Sequence, residues 1–114
     1  MRFAVPIVAL VLAACSSGEQ PDLPSIKAVR SAAAEWALVN RDARAGKVTK
    51  AYAEGMRAAA RSAIADEAKK LTGPDRGAAD IARRLQALPD QADPAALNAQ
   101  VLALKRIEDA LESA

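Results

Sequence analysis

The sequence contains no histidine, a single cysteine and only three aromatic residues among its 114 positions. Without histidine, the chain lacks the side chain that most often serves as a general base or a metal ligand. The lone Cys15 cannot form a disulfide within the chain. No apolar stretch reaches the roughly 20 residues that a membrane-spanning helix needs. Together these absences argue against an enzyme and against a protein built around a metal ion.

Strong net charge is also missing. The chain has 16 Lys and Arg against 14 Asp and Glu, for a formal charge of +2, so it shows no general attraction to nucleic acid. The charge is nevertheless uneven. Residues 25–71 carry ten basic and five acidic side chains, whereas residues 72–114 carry five and seven. A surface that attracts anions is therefore expected in the first of these two segments.

The beginning of the chain has the pattern of an export signal. A positive charge at Arg2 precedes an apolar run over residues 3–14, which is typical of a signal peptide. The run ends in Leu-Ala-Ala-Cys at residues 12–15, and this tetrapeptide resembles the lipobox of bacterial lipoprotein precursors. The resemblance implies cleavage between Ala14 and Cys15, a diacylglyceryl thioether on Cys15, and acylation of its new amino group by a fatty acid such as palmitate.

This resemblance also implies a location. Several acyl chains make membrane anchoring stable, whereas one chain is marginal. In proteobacterial lipoproteins, a residue other than Asp after the cysteine implies transfer to the outer membrane, and here that residue is Ser16. We therefore expect a lipid anchor facing the periplasm, with no cofactor besides the covalent lipid. The alternative is an ordinary secretory signal with an incidental cysteine, although a lone exported thiol would be reactive.

The remainder predicts an all-α domain of three to four helices. Alanine dominates, glycine is scarce, and Leu, Ile and Val recur at helical spacing, which favours helix. Residues 15–24 are small, polar and interrupted by proline, as expected of a lipidated N-terminus and flexible tether. The domain then covers residues 25–114 as a small Ala-rich bundle. The predicted helices are 25–45, 49–71, 74–88 and 94–112.

Local signals mark the ends of these helices. Gly46 suits the left-handed position that ends the first helix, and Thr49 is an N-cap for the second. Pro74 can open the third helix. Asp93 followed by Pro94 is the clearest start signal. Because the first junction is short, the first two helices are expected to fold back as an antiparallel hairpin.

Six cationic residues form the candidate binding surface. If the first two helices lie side by side, their basic arrays form a surface for the phosphates of envelope lipid or for an acidic partner. The alternative, which the interspersed acidic residues favour, is a solvated face with weak local ion pairs. The six residues are Arg30, Arg41 and Arg44 on the first helix and Lys50, Arg57 and Arg61 on the second.

The aromatic and polar residues of the hairpin allow two interpretations. Apolar residues at helical spacing form a stripe along one side of each predicted helix. Trp36 and Tyr52 lie on or beside these apolar stripes, so we expect them to fill an alanine-rich interface, with a ligand groove as the alternative. Asn40 and Asp42 belong to the most distinctive stretch of the sequence. Capping or surface roles are the commoner use of such residues, and a binding site is the alternative.

The C-terminal helix ends in Glu108, Asp109 and Glu112. These carboxylates lie at the negative end of the helix dipole, which repels them, and Glu108 also repels Glu112 one turn away. The pattern predicts a frayed end. The alternative is docking onto the basic first hairpin, within one molecule or between two.

The sequence thus predicts a non-catalytic lipoprotein that acts as an interaction or structural module. Its partners would be the membrane, reached through the lipid anchor, and an envelope protein or a second copy of the chain. The alternatives are a periplasmic binder of anionic lipid or polymer and a small enzyme inhibitor.

Overall fold

A computed structural model describes residues 21–72 and 77–114 of the chain. These residues form four α-helices and no strand, which confirms the predicted all-α class. The signal segment, Cys15 and Pro74 lie outside the described residues, so the predictions made for them stay predictions. The helices are α1 (Leu23–Arg44), α2 (Lys50–Ala68), α3 (Gly77–Ala87) and α4 (Pro94–Glu112).

Helix α1 is the centre of the bundle, with α2 and α4 both packed along it. Its N-terminal half lies against the end of α4, where Arg30 contacts Glu108, and its C-terminal half lies against the start, where Arg44 contacts Asp93. Helices α1 and α4 are therefore antiparallel. Helix α3 packs mainly on α2 and α4. The predicted α1–α2 hairpin is confirmed.

The predicted end signals operate as expected. Gly46 has φ +71°, the left-handed conformation that glycine adopts without strain. The Thr49 hydroxyl accepts the Tyr52 N–H at 3.1 Å, and the Asp93 carboxylate accepts the Ala95 N–H at 2.9 Å. These contacts satisfy amides that the first turn of a helix leaves without partners.

Helix α1 begins two residues before its predicted start. Pro24 lies inside the first turn, where the missing N–H of proline costs no hydrogen bond. The Asp22 carboxylate accepts the Thr72 N–H at 3.3 Å, which attaches this end of α1 to the chain that follows α2. In the same region, the Ser25 hydroxyl, followed by the Lys70 ammonium, lowers the pKa of Glu67. The start of α1 is thus fastened to the end of α2.

The core follows the predicted apolar stripes. Trp36 is its largest fully buried side chain, and alanines such as Ala33, Ala53 and Ala60 let the helices approach closely. The prediction that Tyr52 would join this core is wrong, because its side chain is 53% exposed. Tyr52 lies one residue before Ala53, and one residue turns the helix by about 100°. That rotation carries the ring away from the buried face.

The prediction of a frayed α4 terminus is also wrong. Helix α4 continues to Glu112, and Glu108 is only 3% exposed. The Glu108 carboxylate accepts Arg30 Nε at 2.6 Å, and Glu112 lies 2.8 Å from the Lys27 ammonium. Cations from α1 offset the unfavourable helix dipole, so the observed arrangement is the alternative of docking, within one molecule.

We predict that Glu108→Gln lowers the free energy of unfolding by about 1–3 kcal/mol, because it leaves the half-buried Arg30 without its carboxylate. Glu112→Gln removes the same charge one turn later, from a pair that is exposed on both sides, and serves as the matched control. Urea unfolding measures both changes. Equal losses in the two variants would contradict a special role for the Arg30–Glu108 pair.

Candidate functional site

The α3–α4 loop, residues 88–93, takes hydrogen bonds from side chains on α1. The Trp36 indole Nε1 donates to the Asp90 carbonyl oxygen at 2.8 Å. Asn40 Nδ2 donates to the same oxygen at 3.1 Å and to the Ala92 carbonyl oxygen at 2.8 Å. Buried or half-buried carbonyls outside a helix need hydrogen-bond donors. Side chains of α1 supply these donors to the loop backbone.

Helix α2 adds a second set of donors through Arg61. The Arg61 guanidinium donates to the carbonyl oxygens of Leu88 at 2.6 Å and Gln86 at 3.0 Å. It also lies 3.3 Å from the Asp90 carboxylate and 4.9 Å from the centroid of the Trp36 ring. The arginine therefore caps the carbonyl end of α3 while stacking on the largest core aromatic.

Asn40 connects the two sets. Its side chain is 1% exposed, both Nδ2 hydrogens go to loop carbonyls, and its Oδ1 accepts Arg57 Nε at 2.6 Å. The expected surface or capping role is therefore wrong. One signal could have found this residue: Asn40 lies four positions after Trp36, which places both on the same face of α1.

Arg57 is the least compensated charge in this part of the protein. The residue is 8% exposed, and its Nε donates to Asn40. Among the described residues, neither Nη atom has a hydrogen-bond partner, and no carboxylate lies within ion-pair distance of the guanidinium. Removing a charge from water without a counter-ion is costly.

Two adjoining cavities border the hydrogen-bonded cluster formed by Asn40, Arg57 and the loop, and Arg57 and Gln91 line both of them. The larger, of about 420 Å³, lies between the end of α1, the start of α2 and the loop, and Arg44 and Lys50 contribute to its wall. The smaller, of about 360 Å³, is lined by Arg61, Asp90 and Glu54 among others. We call the larger cavity the Arg57 cleft.

The structure brings together four of the six cations singled out in the sequence. Arg44, Lys50, Arg57 and Arg61 line one or both cavities. Arg41 is exposed on α1 but lines neither cavity, and Arg30 is engaged with Glu108 at the other end of the bundle. Of the four, Arg61 is directed mainly at loop carbonyls. Whether this set binds an anion stays a prediction.

The chain matched no protein-family model, no curated protein and no solved structure. Within residues 21–72 and 77–114, no helix has the length and apolar character to cross a membrane. The same residues contain no group of three or more His, Cys, Asp or Glu side chains arranged to hold a metal ion.

We predict that Asn40→Ala lowers the free energy of unfolding by about 2–4 kcal/mol, because it leaves the Ala92 carbonyl and Arg57 Nε without partners in a buried place. Asp42→Ala is the matched control, since Asp42 lies on the same helix with a partly exposed side chain, and we expect a change within about 0.5 kcal/mol. Chemical denaturation followed by tryptophan fluorescence measures both, because Trp36 reports directly on this cluster. A neutral Asn40→Ala would show that the loop does not depend on the amide.

Proposed function

We propose that the chain is a bacterial envelope lipoprotein, anchored through acyl chains on Cys15 and facing the periplasm, most simply at the outer membrane. Its helical domain would act there as a non-catalytic interaction or structural module. The observation that carries the proposal is the lipobox-like segment at residues 12–15, placed just before a self-contained helical domain.

The spacing between Cys15 and the domain supports an anchoring role. Helix α1 begins at Leu23, and the seven residues from Ser16 to Asp22 span at most about 25 Å when fully extended. A domain on so short a connection would stay close to the membrane that holds the lipid. It could reach partners at or near that surface.

Both the buried polar contacts and the exposed apolar side chains of the domain are consistent with a module that binds partners through its surface. The buried polar side chains Asn40, Arg57 and Glu108 bind other parts of the same chain, so their first role is to hold the helices and the loop together. Large apolar side chains are exposed on three different helices, at Leu38, Tyr52 and Leu102. Isolated exposed apolar residues are common in soluble proteins, but they are also the positions at which a partner would gain most from burial.

We expect Cys15→Ser to abolish anchoring, because the hydroxyl cannot receive the thioether-linked diacylglyceryl group that the lipobox implies. The measurement is envelope fractionation and intact-mass spectrometry of the wild type and of the Cys15→Ser variant. The wild type should be membrane-bound, begin at Cys15 and carry the mass of its acyl chains. Ser16→Ala is the control and should leave lipidation intact. A wild-type chain without acyl groups would contradict the anchor.

The interaction role predicts site-specific crosslinking in the native envelope. A photoreactive amino acid placed at Leu38, Tyr52 or Leu102 should give a discrete adduct from at least one position, whether with another protein or with a second copy. The exposed Asp66 on α2 provides the control position. No adduct from any of the three, or the same adducts from Asp66, would contradict an interaction surface at these positions.

A further inference from the structure

We propose that the Arg57 cleft is a binding site for a phosphate group, with the Arg57 guanidinium at its floor. The proposal concerns the folded domain and does not depend on whether Cys15 carries lipid. It begins from the unusual state of Arg57, which is 92% buried, since 8% of its surface is exposed, and yet has no carboxylate partner among the described residues.

The unused donors of Arg57 are accessible from the cleft. A guanidinium has five N–H donors, and the hydrogen bond to Asn40 uses only the one on Nε. In the described part of the chain, Gln100 Oε1 is the one fully enclosed side-chain polar atom without a partner. The Nη atoms of Arg57 have no partner among residues 21–72 and 77–114 and are not enclosed, so they retain contact with the cavities that the residue lines.

The bond to Asn40 also fixes the direction of the guanidinium. Asn40 is itself held by two hydrogen bonds to the loop backbone, so its Oδ1 is a rigid acceptor for Arg57 Nε. A planar guanidinium held at Nε presents its two Nη atoms in a fixed fork, the geometry that recognises phosphate through paired hydrogen bonds. The donors are thus oriented before any ligand arrives, which reduces the entropy lost on binding.

The wall of the cleft carries further positive charge. Among the described residues, the charged side chains that line it are all cationic: Arg44, Lys50 and Arg57. Arg44 has one exposed contact within the described residues, with Asp93 at 3.5 Å, so it is able to turn toward a ligand. Lys50 is exposed at the first position of α2, where the helix dipole also favours an anion.

These donors line the cleft from two helices, Arg44 from α1 and Lys50 with Arg57 from α2. Such an arrangement suits a tetrahedral phosphate, which offers oxygens in several directions, better than a planar carboxylate, which offers two. The phosphate could belong to a lipid headgroup or be free in solution. The cleft adjoins the C-terminal end of α1, whereas the connection to Cys15 enters at Leu23, about 30 Å away along the helix at 1.5 Å per residue. This position does not decide between the two sources, and the two arms of the experiment below separate them.

The test is calorimetric titration of inorganic phosphate into the full chain as purified from the envelope, with or without lipid on Cys15, in neutral detergent micelles at constant ionic strength. We expect saturable binding that acetate at equal concentration does not reproduce. In a second arm, no inorganic phosphate is added, and mixed micelles that contain phosphatidic acid are titrated instead. Binding in this arm alone would identify a headgroup as the source, and binding in the first arm would identify a free phosphate. No saturable binding in either arm would overturn the proposal.

Two variants with the same change of charge make the test specific to the cleft. Lys50→Gln removes a cation from its wall and should weaken binding about threefold to tenfold, as expected for one exposed charge-assisted contact. Arg41→Gln removes a cation from α1 that does not line the cleft and should leave binding unchanged. Equal weakening by both would show non-specific attraction and would overturn the site.

Arg57→Lys is the most direct variant. It keeps the charge but loses the fork, so we expect phosphate binding to fall by at least tenfold. Since Arg57 also contributes to the fold, circular dichroism must show a helical protein before its binding is compared. If this variant does not fold, the comparison of Lys50→Gln with Arg41→Gln decides the question, because both residues are exposed.

Discussion

The side-chain amide of Asn40 joins three parts of the chain: helix α1, helix α2 and the α3–α4 loop. It binds the backbone of the α3–α4 loop through Nδ2 and Arg57 of α2 through Oδ1, from a buried position on α1. Both N–H groups of the amide donate hydrogen bonds and its oxygen accepts one, so these bonds compensate for the loss of water around the buried amide. Together with Trp36 and Arg61, this residue holds the loop that leads into α4.

This dependence on polar contacts follows from the thinness of the core. Alanine supplies many of the buried positions, and each alanine gains far less from burial than the ~1.5–3 kcal/mol of a leucine or isoleucine. Hydrogen bonds and ion pairs therefore take a larger share in fixing the arrangement. They act at both ends of α1: Asn40 and Trp36 hold the loop at one end, and Arg30 with Lys27 holds the end of α4 at the other.

The sequence was sufficient for what depends on neighbouring residues. Thr49, Asp93 and Gly46 act within a few positions of themselves, so their roles followed from local chemistry, and the apolar stripes gave the buried faces. The sequence was insufficient where partners are distant. Asn40 meets Ala92 across 52 positions and Arg30 meets Glu108 across 78, and no local pattern shows that these will meet. Local charges predict that the helix end at Glu108 frays, but Arg30, which is distant in sequence, binds this carboxylate and stabilises the end.

The same reasoning explains why the six cations could not be treated as one surface. A charge on a helix is available to a ligand only if the fold does not use it first. Arg30 pairs with a carboxylate and Arg61 donates to loop carbonyls, whereas in the described part of the chain Arg57 donates through Nε and both its Nη atoms remain available. Its dual position, buried enough to be oriented and open enough to donate, arises because Asn40 offers one acceptor and no carboxylate among the described residues pairs with the guanidinium. In the proposed site, the Nε atom of Arg57 has the structural role and its two Nη atoms have the binding role.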